Sequence, residues 1–215
     1  MSINFTGVNS IAIPEGTVKK ITRKSDGAVL WEKPVVEDDV LFRLENPIIG
    51  AEGAYVDTGI KLFDTKKPFS IIIKFVFNTE LLENSGRRCI LHCMYEEYPY
   101  YGIIIEQITN PDGAVLNFST KTNINAVSES YINDLEENVF VIVHEGLNCV
   151  LYANSIENLV TPKYSYVAID STLVLGAYKT VSGEYGRFFD VGNITHCTVY
   201  NRTLSTSEIQ NLMSN

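Results

Sequence analysis

Apolar positions run in short blocks along almost the whole chain, broken by turns rich in Gly, Pro, Asn and Asp. Phe69-Ser70-Ile71-Ile72-Ile73-Lys74-Phe75-Val76-Phe77 is long, apolar and β-branched, which predicts a central strand covered on both faces. Val40–Leu44, Ala54–Gly59, Cys89–Tyr95, Gly102–Glu106, Ala114–Ser119, Val139–His144, Cys149–Ala153 and Leu173–Ala177 read as further strands. Asn110-Pro111-Asp112-Gly113 and Glu145-Gly146-Leu147-Asn148 read as turns between neighbours, whereas residues 120–138 are polar and carry few strand signals. About ten to twelve strands at this spacing predict an all-β sandwich or barrel. Only the end of the chain turns helical. After a strand over Gly192–Tyr200, Ser205 suits an N-cap with Glu208 at N3, and Leu204 and Ile209 fall at N′ and N4 as a hydrophobic staple.

Residues 1–34 stand apart in pattern. Ile11-Ala12-Ile13-Pro14-Glu15-Gly16 is a short strand and turn, and Ser25-Asp26-Gly27 separates Val18 and Ile21 from Ala28-Val29-Leu30-Trp31. An Asp-Gly pair between two such runs predicts a β-hairpin. A lone hairpin is marginal in water, so this one is expected to dock on the main domain, a symmetry mate or a larger assembly. The expected organisation is a hairpin appendage over 1–34, a linker over 35–39 and one domain over 40–215.

Composition narrows the partners. Of 215 residues, 45% are hydrophobic and 20% charged, the balance of a globular chain rather than a disordered one. A net charge of −9 with scattered Lys and Arg argues against nucleic acid and anionic membrane surfaces. No run approaches the ~20 apolar residues of a membrane span. The start, Met1-Ser2-Ile3-Asn4-Phe5-Thr6, lacks the basic and apolar regions of a signal peptide, which leads to the expectation of a protein made in the cytoplasm. Cys89, Cys93, Cys149 and Cys197 form no CxxC pair. A zinc set from Cys89, His92, Cys93, His196 and Cys197 is conceivable by ligand type, but small buried hydrophobes in core strands is the expected role. His92, His144 and His196 all lie in apolar, strand-like contexts, which suits core or edge positions, and no nucleophile-elbow motif is present.

Three blocks carry a resemblance. They are Pro68-Phe69-Ser70-Ile71-Ile72-Ile73-Lys74-Phe75, Leu173-Val174-Leu175-Gly176-Ala177, and the closing Gly192-Asn193-Ile194 followed by Val199-Tyr200-Asn201-Arg202-Thr203-Leu204-Ser205, with Glu208 and Ile209 in register. Through them residues 40–215 resemble the concanavalin A-like lectin/glucanase superfamily in its laminin-G-like form, the third block being the most specific. His196-Cys197-Thr198 departs from the acidic, apolar and basic residues common there. The resemblance implies an antiparallel two-sheet jelly-roll β-sandwich with a short C-terminal helix. The N-terminal segment, Ile13-Pro14-Glu15-Gly16 through Leu30-Trp31-Glu32-Lys33-Pro34, is similar to short modules that open tail and other virion proteins of phages and prophages. Together the two resemblances imply a non-catalytic virion-associated protein of a phage particle. Its residues 1–34 would hold virion structural proteins in a homo-oligomer or larger assembly, and its lectin-like domain would adhere to host-surface or mucosal carbohydrate. A purely structural virion decoration protein and a glycoside hydrolase of the glucanase branch are the alternatives.

Retaining glycosidases need two carboxyl groups flanking the bond, about 5 Å apart. The alternate-carboxylate strand motif of the glucanases does not occur here, and Glu96-Glu97 and Glu136-Glu137 are adjacent pairs in loop-like stretches. No catalytic residue is therefore assigned. Sugar binding needs flat aromatic faces together with polar groups for the hydroxyls. Tyr95-Glu96-Glu97-Tyr98-Pro99-Tyr100-Tyr101 concentrates both, so Tyr95, Glu97, Tyr98, Tyr100 and Tyr101 form the first candidate contact set. The Gly-bearing stretch Tyr178–Arg187 offers Tyr185 and Arg187 as a second set, since the resemblance implies that rim loops hold the site. Calcium is common in the superfamily, and Asp57, Asp190 and Asn193 are its best oxygen donors here. No dense ligand run appears, so neither a metal nor another cofactor is expected.

Overall fold

A computed structural model describes residues 10–12, 20–22, 29–32, 39–45, 53–63, 67–77, 86–95, 101–110, 113–120, 123–127, 135–146, 148–160 and 169–214. In chain order the strands are β1 (Ser10–Ala12), β2 (Lys20–Thr22), β3 (Val29–Glu32), β4 (Val40–Glu45), β5 (Tyr55–Asp57), β6 (Phe69–Phe77), β7 (Gly86–Tyr95), β8 (Tyr101–Asn110), β9 (Gly113–Thr120), β10 (Asn123–Val127), β11 (Glu137–Glu145), β12 (Asn148–Ala153), β13 (Leu159–Val160), β14 (Val174–Leu175), β15 (Tyr178–Lys179), β16 (Tyr185–Gly186) and β17 (Gly192–Tyr200), followed by helix α1 (Thr206–Met213). One sheet has the order β1-β5-β14-β7-β8-β9-β10 and the other β13-β12-β11-β6-β17-β4; β15-β16 and β2-β3 are separate two-stranded ribbons. Pairing is antiparallel throughout except between β1 and β5. The chain is thus an all-β sandwich with one short C-terminal helix among its described residues.

β6 shows how the pattern becomes the core. Its odd-numbered side chains, Phe69, Ile71, Ile73, Phe75 and Phe77, all enter the main core between the sheets. Phe75 meets Phe140 and Phe189 edge-on, with ring centres 5.0 and 6.2 Å apart. Ile72 points the other way and joins Val141 under α1. Neighbours β11 and β17 flank β6 on both sides, so the uninterrupted apolar run reflects burial of both faces. All four cysteines are free and buried, and burial pushes the Cys93 thiol up to about 12 and those of Cys149 and Cys197 further still.

The terminal helix starts as its sequence directs. The Ser205 hydroxyl accepts from the Glu208 N–H at 3.3 Å, while the Glu208 carboxylate accepts from the Ser205 N–H at 2.8 Å. Leu204 and Ile209 are buried together with Ile72 and Val141. Arg202 pairs with both Glu208 and Asp39, and so ties the helix start to the entry of β4.

Two features depart from the sequence pattern. β10 forms within the polar stretch 120–138, because a sheet-edge strand needs only backbone partners, and β9 supplies them. β15 and β16 are two residues each, too short for any period to show. β1 joins the edge of the larger sheet beside β5, while β2 and β3 pair across the Asp-Gly stretch, with Ile21 opposite Trp31. The turn residues between β2 and β3 lie outside the described set.

Candidate functional site

The β15-β16 ribbon lies on the outer face of the larger sheet, where Tyr178 packs on the buried patch of Cys89, Met94 and Ile104. Its turn is held by local bonds: Thr180 N–H donates to the Glu184 carbonyl at 2.8 Å, and Glu184 N–H donates to the Thr180 hydroxyl at 3.0 Å. Gly183 closes the turn at φ +86°, a backbone conformation that favours glycine.

Two buried carboxylates pin this ribbon to the sheet. Asp57, 3% exposed at the end of β5, is the first. Its Oδ2 accepts from Lys179 Nζ at 2.7 Å, from the Tyr185 hydroxyl at 2.7 Å and from Thr172 Oγ1 at 3.0 Å, while Oδ1 accepts from the Gly59 N–H at 3.0 Å. Burial alone would raise the Asp57 pKa, but these bonds more than reverse it, and the carboxyl is held below its usual range. Tyr185 is shifted the other way: burial, and then the carboxylate it donates to, hold its proton on. Glu106, the second anchor, is 4% exposed and sits between Arg87 at 3.3 Å and Arg187 at 3.5 Å. The Arg187 guanidinium also lies 4.0 Å from the centre of the Tyr178 ring, and the Arg187 carbonyl accepts from the Cys89 N–H. Arg187 takes φ +50°, an uncommon angle for a residue with a side chain.

Aromatic rings fill the remaining contacts. Tyr55 stacks on Tyr185 with centres 4.0 Å apart and planes 22° apart. His92, fully buried beneath Tyr178 at 4.7 Å, has no hydrogen-bond partner for either ring nitrogen among the described residues. Burial, reinforced by the charges of Arg187 and Lys179, lowers its pKa to about 3.

Beside the ribbon opens a pocket of about 410 Å³, bounded by Asp170, Ser171 and Thr172 on one side, by Lys179, Thr180, Val181 and Gly183 on the other, and by Met94 at the end of β7. It combines hydroxyls, one ammonium and one exposed carboxylate. The other carboxylate of the cluster, Asp57, is spent on four donors, which suits it to holding structure rather than to moving protons. The described residues contain no group of three His, Cys, Asp or Glu side chains able to hold a metal. Of the three calcium candidates, Asp57 is engaged as above, Asp190 pairs with Arg88, and Asn193 is exposed.

Of the residues singled out by sequence, Tyr185 and Arg187 lie on the ribbon, with their polar tips directed to Asp57 and Glu106. Tyr95 and Tyr101 are paired in the last register position of β7 and β8, next to Met94 and Gly102. Glu97, Tyr98 and Tyr100 lie outside the described residues. The sequence reading did not single out Lys179, Thr172, Ser171, Asp170 or Glu106. Their only signal was polar side chains in the stretches flanking Leu173–Ala177 and at the end of an isoleucine run.

No protein-family model and no curated protein matches the sequence. Solved structures do share the fold. The NanB sialidase of Streptococcus pneumoniae aligns with a TM-score of 0.57 and 13% identity, over 80% of this chain and 28% of that one. A mutant Trypanosoma rangeli sialidase with trans-sialidase activity aligns at 0.51 and 13%, over 69% of this chain and 23% of that one. The chain therefore spans about a quarter of the length of these neighbours, and at such identity the likeness is one of fold. It corrects the expectation of a phage or prophage virion protein, whether host-adhesive or purely decorative. Both of these neighbours are sialidases, which are glycoside hydrolases, and neither involves a virion.

Proposed function

We propose that the chain is a carbohydrate-binding β-sandwich that holds sugar non-covalently in the pocket beside the ribbon. The observation that carries this reading is the pocket itself. Ser171, Thr172, Lys179 and Thr180 line about 410 Å³ of open space at the rim of a sandwich shared with glycan-processing enzymes. Sugars need such donors and acceptors at fixed positions, and the Asp57 hydrogen bonds fix Lys179 and Thr172. Met94, a lining residue, precedes Tyr95 at the end of β7, and Tyr95, Glu97, Tyr98, Tyr100 and Tyr101 are the sugar contacts this reading takes from the sequence. Tyr185 and Arg187 support the site from below by holding the ribbon. In this reading the sandwich is a concanavalin A-like jelly roll, and the sugar is bound without being cut.

The test is calorimetric titration of the whole chain with a panel of oligosaccharides, beside the variants Ser171→Ala and Tyr98→Ala/Tyr100→Ala. Losing one neutral hydrogen bond of about 1 kcal/mol should weaken binding roughly fivefold in Ser171→Ala. Loss of the aromatic pair should weaken it further. Silence across the panel, or unchanged affinity in both variants, would refute the proposal. Release of sugar from any oligosaccharide would refute its non-catalytic part.

A further inference from the structure

We infer that the pocket selects uncharged over acidic carbohydrate, an inference that rests on the carbohydrate reading above. An acidic sugar needs a cation whose charge is not already compensated, most effectively a guanidinium able to make two parallel bonds. Among the described residues, the cations around this pocket are committed elsewhere. Lys179, whose side chain is 25% exposed, gives one N–H to the buried Asp57 carboxylate at 2.7 Å and another to Thr172 at 3.0 Å. At most one N–H of three remains for a ligand, and the charge behind it is cancelled. Arg187 lies flat on Tyr178 and shares Glu106 with Arg87. Lys61 is paired with Asp170.

The pocket surface itself carries a carboxylate. The Asp170 side chain is 82% exposed on its lining, and the hydrogen bond and charge of Lys61 keep it ionised. Glu184 is exposed on the ribbon turn, and the whole chain carries a net charge of −9. A sugar carboxylate entering this space therefore meets only paired charges on a chain that is net negative, and no uncommitted cation among the described residues. A neutral sugar meets hydroxyls and one carboxylate able to accept from its own hydroxyls. Repulsion between unpaired unit charges about 4 Å apart in water is worth at most about a fivefold change in affinity, and the Lys61 pairing of Asp170 reduces it to a few-fold.

Matched sugars test it: one neutral oligosaccharide and its counterpart bearing a uronic or sialic acid, titrated into the whole chain at low and at high salt. The neutral member should bind a few-fold tighter at low salt, and the gap should narrow at high salt as the charges are screened. Asp170→Lys removes only an exposed pair, so its thermal unfolding should match that of the parent, and it should narrow or reverse the gap. Equal or tighter binding of the acidic member by the parent chain would overturn the selectivity while leaving carbohydrate binding intact. An undiminished gap in folded Asp170→Lys would also overturn it. Failure of both members to bind would overturn the carbohydrate reading, and the selectivity with it.

Discussion

At the scale of single residues, the two fully buried histidines set how the fold responds to acid. Burial, with the charges of Arg187 and Lys179 against the opposing pull of Asp57, lowers His92 to about 3. Burial also lowers His144 to about 4 despite its hydrogen bond to the Lys67 backbone. Both values lie below the ordinary 6.5, so between pH 6.5 and about 4 the unfolded chain binds more protons than the folded one. The stability these neutral rings allow is complete above pH 6.5 and falls as the pH drops through that window, at up to about 1.4 kcal/mol per pH unit for each ring. Asp57 and Glu208, both held below the usual carboxylate range, add their losses only at lower pH. Urea unfolding from pH 7.5 to 4.5 should show this slope. His144→Phe, which keeps a ring against Phe69, should remove about half of it, and a flat profile in the parent would contradict the assignment. The burial of these histidines was legible, because each stands inside an apolar run. The ties of Tyr185 and Arg187 were not. Asp57 and Glu106 lie 128 and 81 positions away from them, and nothing in local spacing marks which carboxylate passes beneath which loop.

At the scale of elements, legibility follows length. The nine residues of β6 and the capping box of α1 state their structure in full, since burial on both faces and a reciprocal side-chain cap are local properties of sequence. The β15-β16 ribbon depends on contacts made after the sheets assemble, and its two-residue strands hold no pattern to read. The neck of the β7-β8 hairpin lies between these extremes. Gly102 sits at φ +116°, and a Cβ there would come within 2.1 Å of the Cys93 carbonyl oxygen, which explains a glycine inside a strand. The helix cap gives a direct test. Ser205→Ala should cost about 1 kcal/mol in thermal unfolding, and it should leave sugar affinity unchanged because α1 packs on the other sheet. An equal loss of affinity would mean that the helix and the pocket are coupled through the sandwich.

At the scale of the whole molecule, the class of fold was visible in the count and spacing of strands, while the order of strands was not. β4 and β17 lie side by side although they are separated by most of the chain, and only the assembled sheet brings them together. Their register places Val40 opposite Tyr200, and the Asn201 N–H donates to the Asp39 carbonyl at the same end. The polypeptide thus enters β4 and leaves β17 from one corner of the sandwich. Tension applied through Asp39 and Asn201 would load that pair as a zipper, breaking its backbone bonds one rung at a time. Tension applied through Glu45 and Asn201 would load the rungs together in shear. In single-molecule pulling, the first geometry should yield at much the lower force, with the Arg202 links to Asp39 and Glu208 as the first catch to give way.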